Sequence, residues 1–69
     1  MQMSHAQQIL NASKYSSFSD MAEAWLGDWT MAGMSDDDAI ELAAKCEEKR
    51  QAGDSRDYTD ILAEVVAAS

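Results

Sequence analysis

Apolar side chains recur along this chain at spacings of three and four, the period of a helix face and not of a strand. Ala6, Ile9 and Leu10 share one face with Ser13. Met21, Trp25, Leu26, Trp29 and Ala32 make a second stripe, and Ala39, Leu42, Ala43 and Cys46, flanked by Ile40, make a third. Tyr58, Ile61, Leu62, Val65 and Val66 make the fourth. Four helices are predicted: residues 5–13, residues 20–32, one from Ser35 to Gly53, and one capped by Asp54 or Ser55.

Polar residues between the stripes supply the ends. Ser4 and Gln7 have the Ser-x-x-Gln spacing of a reciprocal cap for the first helix. Three serines in the segment 14–19 suit turns and caps better than helix interiors. Ser19 or Ser17 is the expected cap of the second helix, with Phe18 as a hydrophobic staple. Gly27 falls inside that helix as read, as a kink or a point of close approach, and Gly33 follows its end. Asp36, Asp37 and Asp38 occupy the first turn of the third helix, where the helix dipole favours negative charge. Glu41 precedes Lys45 by four residues, and Lys49 and Arg50 stand near the helix end. Both ends of this helix are punctuated, which makes it the best-defined element.

The chain has no proline and three glycines in 69 residues. β-Branched residues are sparse before Val65. The expected fold is therefore all-α: one domain over residues 1–69, a compact bundle of a short N-terminal helix and three longer ones, with short connectors between antiparallel neighbours. A chain of this size buries only about 60% of its unfolded surface, so every large apolar side chain matters.

Charge narrows the partners. Thirteen acidic and five basic side chains give a net charge of −8. Direct binding to nucleic-acid phosphates or to an anionic membrane surface relies on Lys and Arg, so both are disfavoured. The natural complement is a basic protein surface. Asp36, Asp37 and Asp38 are accounted for by the helix start and say nothing of a partner. Two ridges remain: Asp57, Asp60 and Glu64 on the fourth helix, and Asp20 and Glu23, continued by Asp28, on the second. Neighbours of this kind lie roughly 5–6 Å apart, near the spacing of successive phosphates on a nucleic-acid strand. One cysteine excludes an internal disulfide. With no basic-then-apolar leader and no span of about 18–20 apolar residues, a soluble cytoplasmic protein is expected.

Catalytic and metal chemistry find little support. His5 and Cys46 are the obvious base and nucleophile, but one opens a helix and the other sits on an apolar stripe. Zinc lacks ligands. Calcium lacks the alternating ligands, the central glycine and the closing glutamate of an EF-hand loop. No cofactor is expected, and the chain is read as a binding protein and not an enzyme. Gly53-Asp54-Ser55-Arg56-Asp57 resembles the Asp-Ser motif of acyl carrier proteins, which are also small, acidic and four-helical. That resemblance implies a phosphopantetheine arm on Ser55. Here, however, Ser55 opens the last helix instead of the second, and Arg56 replaces the family's apolar residue. Trp25 and Trp29, four apart, read as core. With Met21, Met31 and Met34 they also exceed what so small an interior readily holds, so an exposed Trp29 would anchor a partner or a second copy.

In size, charge and helicity the whole chain resembles the small acidic inhibitors of bacteriophages and mobile elements, anti-CRISPR proteins and DNA mimics among them. The resemblance implies a larger nucleic-acid-processing protein or ribonucleoprotein as target, its basic groove met by Asp57, Asp60, Glu64, Asp20, Glu23 and Asp28, with Trp29 at the contact. A small regulatory or structural subunit, docking through the Trp/Met surface as a homodimer or as a cap on an assembly, is the second expectation.

Overall fold

A computed structural model of the chain describes residues 3–27, 29 and 33–68. Among these residues there are four α-helices and no strand: α1 (Met3–Ala12), α2 (Phe18–Leu26), α3 (Asp36–Gln51) and α4 (Tyr58–Ala67). The all-α expectation holds. α1, with 10 residues, is short and α3, with 16, is long, as expected, whereas α2 and α4 span only 9 and 10.

Local chemistry explains most of the ends. Ser17 caps α2 from an extended backbone, its Oγ accepting the Asp20 N–H at 3.1 Å. Phe18 is the first helical residue and packs partly buried against the core instead of stapling from outside. Gly27 ends α2 after Leu26, and residues 28 and 30–32 of the predicted helix, Met31 and Ala32 among them, lie outside the described residues. The Gly27 N–H still bonds to the Glu23 carbonyl at 2.9 Å, but the glycine's backbone turns to φ 68° and ψ −135°, which side chains strongly disfavour. Ser35 caps α3, its Oγ accepting the Asp38 N–H at 3.2 Å, as its sequence signals require. Gly53, at φ 106°, completes a Schellman ending. Its N–H bonds to Arg50 O at 3.0 Å, and the Asp54 N–H bonds to Lys49 O at 3.1 Å.

Two other caps differ from the sequence reading. α1 begins at Met3, so Ser4 lies inside its first turn, and Gln7 turns forward to donate to Asn11 Oδ1 at 2.9 Å. α4 opens after Asp57, so Asp54 and Ser55 stand in the connector. The reason is an Asp-turn: Asp54 Oδ1 accepts the Arg56 N–H at 3.1 Å and the Arg56 Nε–H at 3.0 Å, which commits it before the helix starts. Asp57 takes the cap position without a side-chain hydrogen bond.

α3 is the hub and packs against each of the other three helices. Its buried positions are Ala39, Ala43, Ala44, Cys46 and Glu47, almost all small, which lets neighbours approach closely. Met21, Ile61 and Cys46 are fully enclosed, surrounded by Ala6, Ile9, Leu10, Ala22, Trp25 and Val65. The α4 stripe is narrower than expected: Ile61 and Val65 are buried, Tyr58 and Leu62 half-buried, and Val66 is 52% exposed. Cross-helix contacts set directions. Trp25 meets Glu47 and Trp29 meets Asp36, so α2 runs antiparallel to α3. His5 meets Glu48 and Ile9 meets Gln51, so α1 runs in the same sense as α3 and opposite to α2, its neighbour in sequence. No helix among the described residues is long and apolar enough to cross a membrane.

Candidate acidic interface

Charge along α3 is polarised. Asp36, Asp37 and Asp38 open it, whereas Lys45, Lys49 and Arg50 lie in its second half. Sixteen residues at about 1.5 Å each separate the two ends by roughly 24 Å. Four of the chain's five cations lie in that second half or just after it, and each meets an acid. Lys45 reaches Glu41 at 3.4 Å, Lys49 reaches Glu64 at 2.5 Å, and Arg50 lies 3.7 Å from Glu47. Arg56 binds Asp54 at 2.6 Å and Glu64 at 3.2 Å. The fifth, Lys14, lies over the Tyr15 ring, 5.7 Å from its centroid.

This pairing redraws the two ridges read from the sequence. Glu64 is clamped between Lys49 and Arg56, and the hydrogen bonds from both, Lys49 first, hold its carboxyl below the usual range. Asp54 is held down to about 2 by its hydrogen bonds with Arg56. Glu64 is thus part of an internal network, and the α4 ridge shortens to Asp57 and Asp60, both exposed. On α2, Asp20 and Glu23 face solvent opposite the buried Met21, Ala22 and Trp25. Asp20 also accepts from Ser16 Oγ at 2.9 Å, which fixes the start of that ridge. Asp28 lies outside the described residues. Among the described residues, Asp20, Glu23, Asp36, Asp37, Asp38, Asp57 and Asp60 make no ion pair.

The two tryptophans part company. Trp25 is core, 4% exposed, stacked on Tyr58 with ring centroids 4.1 Å apart. Its Nε1–H donates to Glu47 Oε2 at 3.1 Å. Trp29 is half-buried at the α2–α3 connector, its Nε1–H donating to Asp36 Oδ1 at 3.2 Å. Asp36 therefore orients an aromatic ring as well as starting a helix. Only Trp29 keeps surface for a partner.

Glu47 is the residue the sequence reading passed over. It is 4% exposed and lies at the centre of a polar cluster inside the bundle. Arg50 beside it donates to Tyr58 Oη at 2.5 Å and stands 4.9 Å from the Tyr58 ring centroid. The Tyr58 and Tyr15 hydroxyls share a hydrogen bond at 2.8 Å. Burial, reinforced by that bond, pushes the Tyr15 phenol well above its ordinary range. A signal was present: Glu47 falls four and eight residues after Ala43 and Ala39, on the apolar stripe, where a solvated glutamate has no place. Cys46 next to it is fully buried, and burial pushes its thiol up to about 11, so it is protonated at neutral pH. His5 lies on the surface, its Nε2 2.8 Å from Glu48 Oε2. Ser55 is exposed in the connector.

Comparison with protein-family models, with curated proteins and with solved structures gives no match for this chain.

Proposed function

We propose that this protein binds and occludes a positively charged surface of a larger protein or ribonucleoprotein, of the nucleic-acid-processing kind that anti-CRISPR proteins and DNA mimics block. The observation that supports this reading is the internal matching of cations. Lys45, Lys49, Arg50 and Arg56 already hold acids of their own chain, so they do nothing to offset the acids of α2, the start of α3 and the start of α4. Random mixing of charges would keep such a surface soluble without leaving these acids unpaired. The contact residues are Asp20 and Glu23 on α2 and Asp57 and Asp60 at the start of α4, with Trp29 at the edge. Glu64 serves the internal network instead.

The test is inhibition of DNA binding by a panel of purified Cas effector complexes and DNA-processing enzymes. Binding of the inhibited member is then followed as salt rises from about 50 to 500 mM, a range over which exposed charge pairs are progressively screened. The expected result is affinity falling steeply with salt, and at least tenfold weaker binding by the variant Asp20→Asn/Glu23→Gln/Asp57→Asn/Asp60→Asn. Affinity that stays flat with salt, or a variant that inhibits as well as the parent, refutes the proposal.

A further inference from the structure

A groove of about 270 Å³ runs along the outer side of α3, lined by Met34, Asp38, Glu41, Leu42 and Lys45. Asp38, Glu41, Leu42 and Lys45 fall three, four and seven residues apart, on successive turns of one helix face. Met34 and Leu42 pack against the core on one side and form the apolar floor on the other. Asp38 stands exposed on the rim, without an ion pair among the described residues, beside Asp36 and Asp37.

Two features say what fits. The volume lies below the roughly 300–1,000 Å³ of small-molecule pockets and suits one long side chain. The groove also already holds its own example of the chemistry: Lys45 lines it and brings its ammonium to Glu41 at 3.4 Å. Lysine buries an apolar stem while its charged head stays in polar surroundings, which is the pattern the floor and rim offer. A purely apolar occupant would strip water from Asp38 with nothing in return, and an acidic one would face the Asp38 and Glu41 carboxylates that line the groove.

We infer that this groove receives a lysine side chain from a basic segment of a protein partner, its stem on Met34 and Leu42 and its ammonium on Asp38. The inference rests on the proposed function and gives that function a specific seat. The experiment titrates isotope-labelled full-length protein with octalysine at about 20 mM salt, followed by NMR, with Asp38→Asn and Leu42→Ala as variants. Saturable shifts of the Met34 and Leu42 methyls are expected, with at least fivefold weaker binding in each variant. The Met21 and Ile61 methyls, unmoved, report an intact core. Asp38→Asn sits on the exposed rim, so it tests the seat even if Leu42→Ala perturbs packing. Octalysine that binds with shifts confined to the Asp20, Glu23, Asp57 and Asp60 region, or with undiminished affinity for Asp38→Asn, overturns the groove and leaves the acidic-binder reading standing. Octalysine that fails to bind at all overturns both.

Discussion

Replacing Glu47 separates two roles a buried carboxylate can play. It accepts the Trp25 indole N–H at 3.1 Å inside the bundle, and the same oxygen lies 3.7 Å from Arg50. Glu47→Ala leaves the indole N–H without an acceptor in a closed interior, at about 1–3 kcal/mol, and opens a small void that adds about 1 kcal/mol. Glu47→Gln keeps both the shape and an amide oxygen for the indole. It removes only the charge opposite Arg50, whose side chain is 33% exposed, and such a pair contributes about 0–1 kcal/mol. The expected losses are therefore about 2–4 kcal/mol for alanine and under 1 kcal/mol for glutamine. A chain of this length has roughly 3–10 kcal/mol to lose. Urea unfolding followed by tryptophan fluorescence reads the difference. With a slope of about 1 kcal/mol per molar, the alanine midpoint falls by about 2–4 M, while the glutamine midpoint moves by less than about 1 M at an unchanged slope. If glutamine costs as much as alanine, the charge holds Glu47 in place and the hydrogen-bond reasoning is refuted.

Two further outcomes follow from the ends of the helices. Asp54 is lowered to about 2 through Arg56, and Glu64 is lowered too, through Lys49 first and then Arg56. Groups with depressed native values stabilise the fold above their unfolded values near pH 4, and that contribution disappears as pH falls toward 2. Arg56→Ala should therefore flatten the decline in stability between about pH 4 and 2, measured by urea midpoints at each pH. Parallel curves for parent and variant would show that the connector network is not coupled to folding. Ser35→Ala should destabilise by about 1 kcal/mol, because Ser35 Oγ accepts the Asp38 N–H. Asp57→Ala should cost less than half of that, since Asp57 makes no side-chain cap bond. Equal thermal shifts for the two would contradict this assignment of caps.

Much of the fold was legible because it is written in contiguous residues. The number of helices follows from apolar spacing. The limits of α3 follow from Ser35 at one end and Gly53 at the other. Reading failed where one local signal overrode another. The apolar stripe of α2 continues past residue 26, but Gly27 ends the helix by leaving helical backbone space. At α4 the Asp54–Arg56 turn pre-empted the capping role of Asp54 and moved the start to Tyr58. Val66 continues the α4 stripe by spacing and is nonetheless exposed, because α4 packs mainly against one neighbour, α3.

By itself the sequence determined an all-α chain with a large acidic excess, since helical period, glycine position and charge are properties of neighbouring residues. Only the tertiary structure decided which acids are spent internally. Tyr15 and Tyr58 meet across 43 positions, and Trp25 and Glu47 across 22. Lys49 and Arg56 converge on Glu64 from different elements. Contacts of that range depend on how α1, α2 and α4 pack around the small residues of α3, and no local pattern encodes them. That packing put Trp25 in the core, removed Glu64 from the candidate interface, and left Asp20, Glu23, Asp57 and Asp60 facing solvent.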